Sequence, residues 1–144
     1  MGYSVMPSYA GDVTPTQAWA ALKTNDKATL VDVRTEAEWT FVGIGDLSSL
    51  GKKPLLLSWQ VYPSMAVNSA FTHQLKEAGV TEDTPLYFLC RSGGRSKAAA
   101  IAATEAGFRQ SFNIVEGFEG DPDGNRHRNR KNGWKFAGLP WVQG

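Results

Sequence analysis

LYFLCRSGGRSKAAA, residues 86–100, is the stretch that decides the fold of this chain. Five apolar residues follow Pro85 and end at Cys90, and a short apolar run between turn signals is typical of a strand buried on both faces. A glycine-rich turn comes next. The alanine-rich run that follows ends at Gly107 and predicts a helix. Because its side chains are small, one face of this helix can lie close to a sheet. The stretch therefore predicts a strand, a turn and a helix, with Cys90 at the carboxyl end of the strand.

The same alternation of strands and helices extends outward from this stretch. Residues 28–33 are a second compact apolar run, which places Asp32 at the carboxyl end of another strand. Two capping-box patterns, beginning at Thr14 and Thr35, predict the starts of helices. The other predicted elements are strands at residues 55–59 and 111–115 and a helix over residues 68–79. This order predicts an α/β domain of three layers, with a largely parallel central sheet flanked by helices.

Length and composition indicate one ordinary folded domain. The 144 residues are 42% hydrophobic and 20% charged, and 15 Lys and Arg against 14 Asp and Glu leave a formal charge of +1. This balance excludes a disordered chain and gives no reason to expect nucleic acid or a membrane as a partner. We expect a single domain over residues 1–144, with its core at about 14–120 and a basic and aromatic extension over 121–144.

The sequence shows no sign of export, metal binding or dinucleotide binding. It has no apolar run of about 18 residues, and its first residues lack the basic start and apolar core of a signal peptide, so we expect a cytoplasmic protein. The single cysteine excludes an internal disulfide and a four-cysteine metal site. No dinucleotide fingerprint is present, and neither a cofactor nor a metal is expected. No carboxylate lies at a sequence spacing from His73 or His127 that would indicate a catalytic pair, so both histidines are expected on the surface.

Cys90 meets the conditions of a reactive thiol. A position at a helix N-terminus beside arginines lowers the pKa of a cysteine from about 8.5 to about 3.5–7.5, and here Arg91 and Arg95 are close by. Gly93 and Gly94 give the backbone the freedom to turn consecutive N–H groups inward around one bound atom. Free cysteines are also common as inert core residues. However, ligands of open α/β sheets bind at the carboxyl ends of strands, and this position favours a functional thiol.

Two motifs occur in order along the chain: LVDVR at residues 30–34, followed by Glu36 and Glu38, and CRSGGRS at residues 90–96. In both motifs and their spacing the chain resembles a single-domain rhodanese, over about residues 14–120. The resemblance implies transfer of sulfane sulfur. A cysteine thiolate attacks a donor such as thiosulfate, holds the sulfur as a persulfide and passes it to cyanide, a thiol or a protein cysteine. The loop has four residues between its cysteine and its second arginine, the shorter form associated with sulfurtransferases, whereas related phosphatases have one more.

The resemblance implies roles for the residues of both motifs. Cys90 is expected to be the nucleophile and the persulfide carrier. The substrate-binding residues are expected to be Arg91, Ser92, Gly93, Gly94, Arg95 and Ser96. Arg95 either docks an anionic donor or pairs with Asp32 or a nearby glutamate, and both readings are open. Asp32 and Arg34 are expected to support the scaffold, and Ser96 to cap the helix rather than donate to the thiolate.

One stretch departs from the family pattern. Relatives carry a sequence like Gly-His-Ile-Pro-Gly-Ala after the first motif, but residues 42–47 read VGIGDL. This difference predicts altered packing of the loop and weakens any assignment of the substrate by analogy. Because the chain has one cysteine, a persulfide would have to be discharged by an external thiol, cyanide or a partner cysteine.

Two alternatives to sulfur transfer stay open. A cysteine-dependent phosphatase or arsenate reductase would use the same thiolate and Arg95, although the short loop counts against it. A non-catalytic interaction or redox-sensing module would keep the fold and bind a partner through the basic segment, Arg126 to Lys135, which is more simply a solvated loop. No nucleic-acid recognition motif is present.

Overall fold

A computed structural model describes residues 9–61 and 63–143. In chain order the strands are β1 (Gly11–Val13), β2 (Thr29–Asp32), β3 (Ile44–Gly45), β4 (Leu55–Leu56), β5 (Gln60–Val61), β6 (Ala66–Val67), β7 (Leu86–Leu89), β8 (Ser111–Ile114) and β9 (Trp141–Val142). The α-helices are α1 (Pro15–Thr24), α2 (Glu36–Val42), α3 (Phe71–Glu77) and α4 (Gly94–Glu105), and Ser48–Leu50 form a short 3-10 turn. No helix in the described part of the chain is long and apolar enough to cross a membrane.

Five strands form one parallel sheet in the order β1-β8-β7-β2-β4. Strand β7 lies at its centre, between β2 and β8, and all four of its residues are buried. Because the strands are parallel, their carboxyl ends meet at one edge of the sheet. The predicted α/β fold with a largely parallel central sheet is confirmed.

Different segments cover the two faces of the sheet. Alternate side chains of a strand point to opposite faces, and in β7 Leu86 and Phe88 join a cluster with α3 and α4, while Tyr87 and Leu89 join one with α1 and residues near the C-terminus. Three alanines of α4 have no exposed area. The helix therefore lies close to the sheet, as its small side chains predict. Helices on both faces give the three layers.

Both predicted capping boxes are present. The Thr14 hydroxyl accepts the Gln17 N–H, and the Gln17 side chain accepts the Thr14 N–H. Thr35 and Glu38 do the same at the start of α2. Each box satisfies two N–H groups that the first turn of a helix would leave without partners. Helices α1 and α2 therefore begin where the sequence predicts.

The short strands differ from the prediction. Strand β1 pairs with β8 at the edge of the sheet, but the sequence does not predict it because three residues show no periodicity. Of the predicted strand at residues 55–59, only Leu55–Leu56 form a strand, beside β2. The N–H groups of Leu57 and Trp59 still bond to carbonyls at and after the end of β2. Strands β5 and β6 form a hairpin that the sequence does not predict either.

The C-terminal extension packs onto the core. Trp134 has no exposed area, and its Nε1 donates to the Pro140 carbonyl at 2.8 Å. Strand β9 pairs antiparallel with β3. Lys135 Nζ donates to the carbonyl at the end of α2 at 2.9 Å and lies 3.9 Å from the centroid of the Trp141 ring. The packed structure therefore reaches beyond residues 14–120 at both ends.

Candidate active site

The cysteine loop, residues 90–96, begins where β7 ends and runs into the first turn of α4. Cys90 lies at the carboxyl edge of the sheet and is 1% exposed. Its Sγ accepts the Gly93 N–H at 3.1 Å and lies 3.2 Å from the Ser96 Oγ. Gly93 has a φ of +112°, a conformation that favours glycine. The backbone turn at this glycine is what brings a peptide N–H to the sulfur.

A cavity of about 210 Å³ opens beside the sulfur. The residues that line it are Cys90, Arg91, Ser92, Gly94 and Arg95. Its volume is several times the roughly 30 Å³ that a water molecule occupies in the liquid, which suits an anion of a few atoms. The structure thus brings most of the predicted substrate-binding residues around one space, while Gly93 and Ser96 contact the sulfur directly.

The turn after β8 holds the cysteine loop in place. The N–H groups of Phe118 and Glu119 donate to the carbonyls of the first two loop residues at 2.8 and 3.0 Å. Gly117 has a φ of +65°, and a Cβ added there would overlap the Arg91 carbonyl, so this close approach requires glycine. The Gly117 carbonyl in turn accepts the Trp134 N–H at 2.9 Å. The C-terminal extension therefore supports the turn that supports the loop.

Arg95 pairs with a glutamate. Its Nη1 lies 2.6 Å from Glu38 Oε1 and its Nη2 lies 2.9 Å from Glu38 Oε2, a two-point contact between α4 and α2. The hydrogen bond to Glu38 raises the pKa of Arg95 above its usual value. Of the partners that the sequence left open, the structure shows the glutamate and not Asp32. Arg95 still forms part of the cavity wall.

Asp32 and Arg34 form a buried ion pair at the end of β2. Arg34 Nε and Nη2 donate to the two carboxylate oxygens at 2.9 and 2.6 Å, and Nη2 also donates to the Gly43 carbonyl at 2.7 Å. The guanidinium lies 4.3 Å from the centroid of the Phe118 ring. The pair connects β2 with the segment before β3 and with the turn after β8, and neither residue lines the cavity.

Ser96 does not cap α4. The N-cap residue is Gly93, and no side chain caps the helix. Ser96 is the third residue of the helix, and its Oγ lies between Cys90 Sγ and Asn113 Oδ1, to which it donates at 2.5 Å. The expected capping role is wrong because α4 begins before Ser96. Asn113 is not among the residues predicted for the site, although an amide inside a buried strand is a signal for a buried hydrogen bond.

The basic segment is partly structural. Arg128 donates to a backbone carbonyl of the turn after β8, whereas Arg126 and Arg130 are exposed. His73 and His127 are also exposed, as the sequence predicts. None of these side chains lines the cavity beside the sulfur.

The contact between Glu38 and Arg95 predicts a pH-dependent contribution to stability. Burial raises the pKa of Glu38, but the hydrogen bond and charge of Arg95, with smaller contributions from Thr35 and Arg34, outweigh it and hold the pKa below its usual value. A carboxyl whose pKa is lowered on folding stabilises the fold above its unfolded pKa of about 4.3, and this stabilisation is lost as the pH falls through the folded value.

The variant Glu38→Gln is therefore expected to be less stable than the wild type near neutral pH, with the difference shrinking below about pH 4. Urea unfolding at a series of pH values measures this difference. The control is Glu77→Gln, because the Glu77 carboxylate is 65% exposed and faces only an exposed histidine. A Glu38→Gln difference that stays constant down to about pH 3 would contradict the prediction.

Sequence comparisons find relatives over nearly the whole chain. A family model described as the STR4 middle domain matches residues 10–144. The uncharacterized protein RP600 homolog of Rickettsia rickettsii is 39% identical over 130 residues, which are 90% of this chain and 95% of that protein. Rhodanese-like domain-containing protein 4, a chloroplastic protein of Arabidopsis thaliana, is 27% identical over 137 residues, which are 95% of this chain and 27% of that protein.

Solved structures share the fold. The crystal structure of Rv0390 from M. tuberculosis matches with a TM-score of 0.87 and 48% identity, covering 94% of this chain and 99% of that one. The solution structure of the polysulfide-sulfur transferase homodimer from Wolinella succinogenes matches with a TM-score of 0.63 and 21% identity, covering 92% and 78%. With a family model matching nearly its full length and rhodanese-like proteins among its relatives, this chain belongs to the rhodanese-like domain family, in the group described as the STR4 middle domain.

Proposed function

We propose that this protein is a sulfurtransferase that carries sulfane sulfur as a persulfide on Cys90. The observation that carries the proposal is the position of the Cys90 Sγ, the only thiol of the chain, beside a cavity lined by its own loop, with the Gly93 N–H at 3.1 Å. A nucleophile and fixed backbone donors are the two things that this reaction needs. Membership of the rhodanese-like family supports the proposal, as does the sulfur transfer named for the Wolinella succinogenes protein.

In the first step, the Cys90 thiolate attacks the outer sulfur of a donor such as thiosulfate. A sulfur–sulfur bond to Cys90 forms, the sulfur–sulfur bond of the donor breaks, and sulfite leaves with its electron pair. The outer sulfur of the persulfide then carries the negative charge inside the cavity. Backbone N–H groups of the loop stabilise this charge. Arg91, which is exposed at the cavity wall, is the cation best placed to dock the anionic donor.

In the second step, an acceptor attacks the outer sulfur and Cys90 leaves as a thiolate, so the cycle needs no external oxidant or reductant. The acceptor has to come from outside, because the chain has no second cysteine. A cleft of about 450 Å³ shares Arg91 and Arg95 with the first cavity and is also lined by Val42 and Met65. We propose this cleft as the approach for cyanide, a small thiol or a cysteine of a partner protein. A cytoplasmic location would supply reduced thiols.

The experiment that tests the proposal is intact-mass measurement after exposure to thiosulfate. Wild-type protein is expected to gain the mass of one sulfur atom, and cyanide is expected to remove that sulfur as thiocyanate. Cys90→Ser is the matched control, and it is expected to gain nothing because the hydroxyl replaces the only thiol. Folded wild-type protein that forms no adduct with thiosulfate or with a small-molecule persulfide would overturn the proposal.

A further inference from the structure

A chain of hydrogen bonds leads from the buried Cys90 to Asp12, an exposed residue at the edge of the sheet. Ser96 Oγ lies 3.2 Å from Cys90 Sγ and 2.5 Å from Asn113 Oδ1. Asn113 Nδ2 lies 3.1 Å from Asp12 Oδ1. Asp12 and Asn113 are paired in register across β1 and β8, which explains their contact. The same Asp12 oxygen also accepts the Tyr9 hydroxyl at 2.8 Å.

Because Asp12 is a carboxylate, it determines which group donates and which accepts in each hydrogen bond from Asp12 to Cys90. A carboxylate can only accept hydrogen bonds, so the atom of Asn113 that faces Asp12 must be the amide nitrogen. The carbonyl oxygen of Asn113 then faces Ser96, whose one hydroxyl proton is used to donate to it. The Ser96 oxygen consequently turns its lone pairs, and not its proton, toward Cys90 Sγ.

We propose that Asp12 and Asn113 are positioning residues that aim the Ser96 hydroxyl away from Cys90 and so favour the thiol form over the thiolate. The inference deepens the proposed function, because it takes Cys90 as the reacting residue. An S–H group can donate to the Ser96 oxygen, whereas a thiolate would need the Ser96 proton. Turning that proton to the sulfur leaves the Asn113 oxygen without its donor, at a residue only 3% exposed. The hydrogen-bond chain therefore acts on Cys90 through the Ser96 hydroxyl.

Other charged groups around Cys90 are the same in every variant needed to test this proposal. They are Arg91 and Arg95 in the cysteine loop, Glu38 on α2, Asp32 at the end of β2 and Arg34 after it. The backbone of Glu116, after β8, lies beside Gly93, and its carboxylate accepts the Gly133 N–H. A change that depends on both Asp12 and Ser96 is thus attributable to the hydrogen-bond chain between them.

The test is the rate of Cys90 alkylation as a function of pH, which reports this residue alone because the chain has one cysteine. In Asp12→Ala the Asn113 amide is free to turn, so the Ser96 proton becomes available to the sulfur. The pH–rate profile is expected to move to lower pH, with a rise of about tenfold in the rate on its acidic side. In a Ser96→Ala background, Asp12→Ala is expected to change nothing.

Two results would overturn the proposal. The absence of a shift in Asp12→Ala would mean that the hydrogen-bond chain does not restrain Cys90, and a shift that survives in the Ser96→Ala background would mean that the Asp12 charge acts through space. Tyr9→Phe controls for loosening of the edge strand and is expected to leave the profile unchanged. If Asp12→Ala fails to fold, Asn113→Ala carries the same expectation, because it also frees the Ser96 proton. Alkylation needs no sulfur donor, so these results do not depend on whether sulfur transfer is observed.

Discussion

Replacing Asp32 with alanine is expected to lower the free energy of unfolding by about 3–5 kcal/mol, because it leaves the Arg34 guanidinium buried without a counter-charge. Arg34 has no exposed side-chain area, and its Nη1 already has no hydrogen-bond partner among the described residues. Its remaining contacts are the Gly43 carbonyl and the face of Phe118. These contacts compensate only part of the cost of burying a cation. Urea unfolding of the wild type and the variant measures the loss.

An exposed ion pair of this chain provides the matched control. Arg109 and Asp83 lie 2.8 Å apart with 70% and 78% of their side chains exposed, so Asp83→Ala is expected to cost at most about 1 kcal/mol. The double variant Asp32→Leu with Arg34→Met is expected to be more stable than Asp32→Ala, since it removes the buried charge with its partner. Equal losses for Asp32→Ala and Asp83→Ala would show that the buried pair is not stabilising this part of the fold.

Replacing Trp134 with alanine is expected to cost about 3–5 kcal/mol, the range typical of removing a large aromatic side chain from a core. Trp134 is fully buried and packs edge-on against Trp19 at a centroid distance of 5.9 Å. It belongs to the same buried cluster as Leu30 of β2. Alanine keeps the backbone N–H that bonds to the Gly117 carbonyl. Without the buried ring, however, the segment that carries this N–H loses its packing against the core, and the turn that supports the cysteine loop is held less firmly. The free energy of unfolding of the protein and the reactivity of Cys90 are therefore both expected to fall.

Two measurements separate these effects. Chemical denaturation gives the loss of stability, and the rate of Cys90 alkylation, measured at a denaturant concentration where the variant is still folded, gives the loss of reactivity. Trp141→Ala is the control, because this tryptophan is 39% exposed and its loss is expected to cost less. A Trp134→Ala variant as stable as the wild type would mean that the extension is not part of the core.

The features that the sequence predicts correctly are local ones. The stretch from β7 into α4 carries its own strand, turn and helix signals, and the two threonine capping boxes define the starts of α1 and α2. Each signal lies within a few residues of the structure it determines. The position of Cys90 follows from the same local pattern, at the end of a buried strand before a glycine-rich turn.

The features that the sequence does not predict depend on residues far apart in the chain. Arg95 and Glu38 are 57 residues apart, so only the fold selects this glutamate over Asp32 as the partner of Arg95. Asp12 and Asn113 are 101 residues apart and meet through the register of β1 and β8. Strands of two or three residues, such as β1 and β9, carry no periodic signal of their own. Their partners stabilise them.

The support of the cysteine loop by the turn after β8, and of that turn by Trp134, also fixes an order of events during synthesis. Domains form as the chain leaves the ribosome from its N-terminus, so Cys90 emerges well before residues 133–135. Until that last stretch is released, the carbonyl of Gly117 lacks the Trp134 N–H that anchors it. The nascent chain consequently exposes Cys90 before the segment that supports its loop has emerged, and the loop takes its final form only after residues 133–135 have left the ribosome.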